Sequence, residues 1–345
     1  MATAACNTRR PQFPVTLAAL GDACSDIVGL RRVLTQHNVP QPRWSEAVDA
    51  ETAAARADAI GYPVVLKQRA GTDTVTLRAD GRQGVLAGYE RVTREVPGAA
   101  LCRPAVVVEE VLEGACICVD IAVLPDGDIR IVAITRTTRI QDPSRQATRH
   151  TVYTHDALLH NPVLRRVVAR TVHALVLGTG VLRIGMKLTS RGPRIIDVQA
   201  YPADDVSMFL IKTATGIDLV QAAADLDAGA TPDLTATRQR AAAIHLAYPP
   251  ATGRIERSSL PAEPVLEPFL DHQAQSQQGN SRVAATPGSA TAGPLAYWIV
   301  VRSNPSNCHT VLDQMTHKSS VDIGTSADAD HAARPTPRPC RAGSR

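Results

Sequence analysis

The stretch Gly180-Val-Leu-Arg-Ile-Gly-Met-Lys-Leu-Thr-Ser-Arg-Gly-Pro-Arg-Ile-Ile-Asp-Val-Gln-Ala-Tyr201 constrains this chain more than any other. Two apolar runs flank a tight polar turn, the pattern of two strands joined as a hairpin. Side chains alternate along a strand, so Asp197 and Gln199, two residues apart, leave the second strand on one face. Mg²⁺ takes oxygen ligands in near-octahedral geometry and is usually held by one or two protein groups, with phosphates and water completing its shell. A carboxylate beside a carboxamide suits that demand, and Asp197 and Gln199 are therefore the candidate metal ligands. Asp204-Asp205, just beyond, reads as a solvated turn.

The bulk of the sequence sets the limits within which that hairpin must work. With 345 residues and 44% hydrophobic content, the chain is long enough for two or more subdomains with cores of their own. Its formal charge of +4 is spread over scattered basic residues, so no nucleic-acid partner is expected. Seven cysteines, at positions 6, 24, 102, 116, 118, 308 and 340, form no CxxC pair, and the odd number suits a reducing compartment better than a disulfide framework. No apolar run reaches the roughly 20 residues that span a bilayer, and the N-terminus has no signal-peptide core. A soluble, cytoplasmic protein is expected, with no membrane partner.

Before the hairpin, residues 1–21 read as a lead-in. Apolar Ile27, Leu30, Val33 and Leu34 have the spacing of one helix face over Asp26 to Gln36, and Asn38-Val-Pro40 ends that helix. A second helix is expected over Ala47 to Ile60, then the strand Val64-Val-Leu-Lys67, a turn from Arg69 to Asp73, and a partner strand Thr74-Val-Thr-Leu-Arg78. A helix over Gly84 to Val96 precedes the strand Ala105 to Glu110. A long hairpin follows, Ile117 to Leu124 and Ile129 to Thr135, turning at Pro125-Asp-Gly127. Asn161 to Leu177 and Ile217 to Ala228 read as helices, Ala241 to Ala247 and Leu295 to Val301 as strands. Residues 271–293 read as a mobile insertion and 324–345 as a disordered tail.

Outside the hairpin, Lys67 stands at a strand end before a glycine-containing turn, where an ammonium group can neutralise phosphate oxygens. Val106-Val-Val-Glu-Glu-Val-Leu-Glu-Gly114 runs from a buried strand into a connector, where backbone groups can pair with an adenine edge between apolar side chains. His150 is a candidate for orienting a substrate, although a lone histidine is more often structural. Cys116 and Cys118 share a strand face and read as small half-buried residues. No Ser/His/Asp order, zinc spacing or GxGxxG is present.

Taken in order, these stations resemble the ATP-grasp superfamily, in particular the carboxylate–amine ligases that include biotin carboxylase and the L-amino-acid ligases. The likeness runs from about Asp22 to Val301 and includes the Gly216-Ile-Asp-Leu219 helix start after the hairpin. It implies an α+β fold with two subdomains gripping a nucleotide between antiparallel sheets: a small one over 22–104 and a larger one over 105–323. It also implies ATP as cofactor, with Lys67 and Glu109, Glu110, Val111 and Leu112 binding it, and Mg²⁺ on Asp197 and Gln199. Where the family has a second metal-binding glutamate, register puts Gly185 here. Asp73 and Thr76 replace loop glycines, Ile27 a lysine of the first helix, Cys116 an acidic residue and Tyr201 an arginine. The α/β domain that usually precedes this fold is not recognisable before Asp22, so it is expected to be missing or to be supplied by a partner chain.

The resemblance implies an ATP-dependent ligase that phosphorylates a carboxylate and passes the acyl phosphate to an amine. Lys67 and Lys187 would be the catalytic cations, with Arg183 also placed to compensate for the substituted ones. The alternative is a catalytically impaired relative that serves as a nucleotide-binding or scaffold subunit. Gly185, Ile27 and Asp73 favour it.

Overall fold

The structure, a computed structural model, describes residues 26–69, 76–94, 106–138, 149–200, 205–248, 253–259, 270–275, 282–283, 294, 296–317 and 320–324. Positions 71, 73, 201 and 204, the lead-in and the tail beyond 324 lie outside them.

Strands β1 (Trp44–Ala47), β2 (Val64–Gln68), β3 (Thr76–Ala79) and β4 (Val106–Glu110) form an antiparallel sheet in the order β1-β4-β2-β3. Val64, Leu66, Val106 and Val108 turn one face of this sheet into a core under helices α2 (Ala50–Ile60) and α3 (Arg82–Arg94). Helix α2 begins because Asp49 accepts a hydrogen bond from Thr52 N at 2.7 Å. Its fully buried Ala53, Ala54 and Ala57 let it lie close to the sheet. The period-2 alternation then forces Lys67, Val107 and Glu109 onto the opposite face.

A larger antiparallel sheet follows. It contains β5 (Ala115–Val123), β6 (Ile129–Thr138), β7 (Arg149–Tyr153), β8 (Gly180–Thr189), β9 (Gly192–Ala200), β10 (Ala241–Ala247), β12 (Leu270–Gln275) and β14 (Ala296–Arg302). Their order is β12-β14-β10-β7-β6-β5-β8-β9. Strands β11 (Gly253–Ser259), β13 (Arg282–Val283) and β15 (Ser320–Gly324) make a separate three-stranded sheet.

Helices α1 (Ile27–Gln36) and α4 (Pro162–Ala174) cover one face of the large sheet, packing Leu30, Leu34, Leu164 and Val168 against Ile117, Val119, Ile184 and Met186. Asp26 caps α1 and Asn161 caps α4, each accepting from backbone N–H groups of the first turn. Helix α7 (Pro305–His317) covers the same face further along, over Ala241, Ala243, Trp298 and Val300. The other face is covered in part by α5 (Asp205–Thr215) and α6 (Leu219–Asp227), over Ala122, Ala133, Val152 and Val181. Beyond them the same face carries Cys116, Cys118, Thr137, His150, Gly185 and Lys187, by alternation along β5 to β8. No single helix among the described residues is long and apolar enough to cross a membrane.

The anticipated elements are present with shifted ends, and several others were not anticipated. Strand β1 is only four residues, too short for alternation to register, and α5 and α7 sit where no strong face periodicity announces them. Strands β12 and β13 fall within or at the start of the stretch expected to be an insertion.

Candidate active site

Lys67 lies on β2 with its side chain only 13% exposed, and its Nζ is 2.8 Å from Glu109 Oε2. Glu109 lies one strand over, on the same face of the small sheet. Its other oxygen accepts from Arg31 Nε at 2.7 Å, and Arg31, on α1, is fully buried. Burial alone would push the Glu109 carboxyl up, but the charges of Lys67 and Arg31, with their hydrogen bonds, outweigh it and hold the group below its ordinary value. Two cations share one carboxylate, so the network carries one net positive charge. That charge faces the side of the small sheet free of α2 and α3.

Arg31 does more than neutralise Glu109. Its Nη1 donates to Ile195 O at 3.1 Å and its Nη2 to Ile196 O at 2.6 Å. Those carbonyls belong to β9, where Met186 pairs with Ile195 and Gly185 with Asp197, so Ile196 is the extra residue of a β-bulge. The bulge immediately precedes Asp197. Further ties hold β9 to the connector after α1: Ile195 N donates to Pro40 O at 2.9 Å and Arg194 Nη1 to Gln41 O at 3.2 Å.

Asp197 faces Gly185 across the ladder. A Cβ placed on Gly185 would lie 1.8 Å from Asp197 Oδ1, so the carboxylate occupies the space that any side chain at 185 would need. Gln199 Nε2 donates to Asp197 Oδ2 at 3.1 Å, confirming that the two residues share a face. A half-turn of the amide would exchange nitrogen for oxygen and present two oxygen donors side by side, which fits Mg²⁺. No group of three His, Cys, Asp or Glu side chains suited to a metal occurs among the described residues. A cation here would take one carboxylate from the protein and complete its shell with the amide, phosphates and water.

The connector after β4 is tightly held. Glu110 N donates to Arg43 O at 2.9 Å and Val111 N to Pro63 O at 3.2 Å, so these two backbone donors are engaged within the chain. The Glu110 carboxylate meets Arg43 at 2.9 Å and Arg191 at 3.3 Å. Burial raises its pKa, but the Arg43 N–H and guanidinium and the charge of Arg191 hold it below the ordinary value. Leu112 is half-buried and Glu113 exposed. Lys187 Nζ donates to Gly114 O at 2.9 Å, binding the connector to β8. Gly114 has φ +128° and its Cβ position would lie 2.1 Å from Leu188 O, so only glycine lets the connector approach β8 this closely.

Of the residues singled out in the sequence, Lys67 and Glu109 meet directly, and Asp197 and Gln199 meet directly; Arg31 bonds Glu109 and the two backbone carbonyls that precede Asp197. Lys187 reaches the connector. Arg183 makes a bidentate pair with buried Asp120, at 2.8 and 3.1 Å. His150 Nδ1 is 3.2 Å from Thr137 Oγ1, in the row of β-sheet partners that continues through Cys116 to Lys187. A cavity of about 170 Å³ lies elsewhere, lined by Leu158, Leu164, Leu188 and Pro193 on the opposite face from Lys187. Arg31 itself was missed: one arginine beside Leu30 in an amphipathic helix reads as solvated. Asp120 and Arg183 left a signal in two charges of opposite sign, each inside an apolar β-run.

No protein-family model matches the sequence, and no curated protein matches it. Solved structures do. The chain is similar to the L-amino acid ligase from Bacillus licheniformis at a TM-score of 0.70 and 16% identity, covering 88% of this chain and 73% of that one. It is similar to a phosphoribosylglycinamide synthetase from Anaerococcus prevotii at 0.59 and 15%, covering 89% and 76%. It is also similar to the biotin carboxylase domain of the Hydrogenobacter thermophilus 2-oxoglutarate carboxylase, crystallised with MgADP and bicarbonate, at 0.61 and 18%, covering 88% and 67%. At such identities the likeness is one of fold.

Proposed function

We propose that this chain, which has the ATP-grasp fold, is an ATP-dependent ligase that joins a carboxylate to an amine through an acyl phosphate. The observation that carries the reading is the contact of Arg31 with both stations: Glu109, which holds Lys67, and the bulge carbonyls before Asp197. One buried side chain thereby holds a phosphate-type lysine and a metal-type carboxylate in fixed relation. Structural neighbours that include an L-amino acid ligase support a carboxylate and an amine as the substrate classes.

In this reading Lys67 meets the phosphates of ATP, and the connector from Glu109 to Leu112 flanks the adenine. Asp197 and Gln199 would hold Mg²⁺, which when bound neutralises phosphate charge. A carboxylate oxygen of the acid attacks the γ-phosphorus and ADP leaves. The amine nitrogen then adds to the acyl carbon, inorganic phosphate leaves, and the nitrogen gives up a proton. Phosphoryl transfer depends mainly on positioning and charge stabilisation, which is what the net positive network around Lys67 supplies. Lys187 fixes the connector through Gly114 O, so its part is to keep the nucleotide's flank in place.

A second reading has its own observation. Gly185 leaves a single carboxylate for the metal, and Lys67 must share its charge with Glu109. A nucleotide-binding subunit without turnover would look this way. Incubation with Mg·ATP, a pool of amino acids and hydroxylamine separates the two. Formation of ADP together with a hydroxamate supports the ligase. Nucleotide binding with neither product from any pool would leave the subunit reading standing and sink the ligase.

A further inference from the structure

We infer that Arg31 is a positioning residue that couples occupancy of the Lys67 phosphate site to occupancy of the Asp197 metal site. The inference rests on the reading of Lys67 and Asp197 given above and assigns to a third residue the link between them.

A guanidinium with 0% exposure is expensive to bury and persists only where its donors are matched by acceptors. Arg31 finds them in three different places. Nε takes Glu109 on the small sheet, Nη1 and Nη2 take Ile195 O and Ile196 O on the large one, and Nη1 also lies 3.5 Å from Gln41 Oε1 on the connector between them. Gln41 is itself fixed, donating to Arg31 O at 3.0 Å and to Thr35 Oγ1 at 2.8 Å. The planar fork is thus held at both ends, and a lysine has no geometry that satisfies all of these acceptors.

The β9 end is where this matters. A β-bulge leaves backbone groups off the ladder and turns the following side chain, and here the following side chain is Asp197. Arg31 donates to the carbonyls of the bulge, so it sets the backbone from which Asp197 reaches over Gly185. At the other end it holds one oxygen of Glu109 while Lys67 holds the second. When an anionic phosphate draws Lys67 towards itself, Glu109 is left to Arg31, the guanidinium is held more firmly, and with it the bulge. Coupling of this kind is reciprocal, so a metal on Asp197 must raise the affinity of the Lys67 side for phosphate by the same factor.

The test uses the full chain and a non-hydrolysable ATP analogue, titrated calorimetrically with and without Mg²⁺. In the wild type, Mg²⁺ is expected to tighten nucleotide binding about tenfold, within the usual range of coupling between sites. In Arg31→Lys the charge remains but the fork is lost, so this factor should fall to about twofold or less, whatever the change in the Mg²⁺-free affinity itself. A merely structural role would weaken binding equally with and without Mg²⁺, and that result would overturn the inference. Hydrogen exchange on the wild type provides a measurement that needs no variant: nucleotide alone, without Mg²⁺, should raise protection of the amides of Ile195 to Asp197. Unchanged protection there, with nucleotide bound, overturns the coupling but leaves nucleotide binding intact. Absence of any nucleotide binding by the wild type overturns both this inference and the reading it rests on.

Discussion

The small sheet and the β8–β9 hairpin present charge in opposite ways. At the small sheet, Lys67 and Glu109 form a network with Arg31 of α1 in which every charge has a partner within 2.8 Å. On the hairpin, Asp197 is half-buried beside an exposed amide and opposite a glycine. The first region is organised before any ligand arrives. The second is sparse, and its one carboxylate owes its place to an empty position across the ladder and to a bulge held by a residue from another element. In the proposed reading, the positive charge that would meet phosphate is built into the fold, whereas the end that would hold a metal is the part most easily lost.

The largest expected effect tests whether the buried pair behind the hairpin, between β5 and β8, is as firmly held as the Lys67 network. Asp120→Ala removes the bidentate partner of buried Arg183 and should cost about 3–5 kcal/mol, read as a shift in urea midpoint. A shift below about 1 kcal/mol would mean that the pair is replaceable. Next comes the hairpin itself. Gly185→Ala places a methyl where Asp197 Oδ1 now sits, and displacement of the carboxylate should cost about 1–3 kcal/mol and reduce the effect of Mg²⁺ on nucleotide binding. Unchanged Mg²⁺ dependence would show that Asp197 reaches its ligand from another rotamer.

A smaller effect is expected on acidification. Because the fold holds Glu109 below its ordinary value, the folded state binds fewer protons than the unfolded one in that interval. The stabilisation is complete above about pH 4.3 and is lost as pH falls through the lowered value. Glu109→Gln should therefore differ most from wild type in urea unfolding at pH 6 and least at the acid end; a constant difference would contradict the assigned charge state. The smallest effect is chemical. Burial pushes the Cys308 thiol, on the sheet-facing side of α7, up to about 11, so it should resist alkylation at pH 8 until the protein unfolds, while half-buried Cys116 is labelled. Mass spectrometry of labelled peptides reads the contrast directly.

Much of this was legible in the residues. The alternation of the hairpin put Asp197 and Gln199 on one face and set Gly185 on the facing strand, and the structure places them so. Lys67 at the strand end and the strand into Gly114 were equally plain. What could not be read was long-range. Arg31 meets partners 78, 164 and 165 residues away, and no local period carries that information. The bulge at Ile196 hides inside an apolar run whose residues look interchangeable. The side-chain partners of Glu109 were equally hidden: a buried carboxylate on a central strand must find cations, and it finds Lys67 and Arg31 from other elements. Arg183, expected to compensate for missing cations, is engaged with Asp120 for the same reason.

The claim on which the rest depends is that Asp197 is a working metal ligand next to a nucleotide held by Lys67. Calorimetric titration of wild type and Asp197→Asn with a non-hydrolysable ATP analogue, each with and without Mg²⁺, addresses it most directly. The account predicts binding that Mg²⁺ tightens about tenfold in the wild type, with the gain absent in the variant and the Mg²⁺-free affinity preserved. Wild-type binding that is indifferent to Mg²⁺, or an Asp197→Asn variant that keeps the full Mg²⁺ effect, would contradict it.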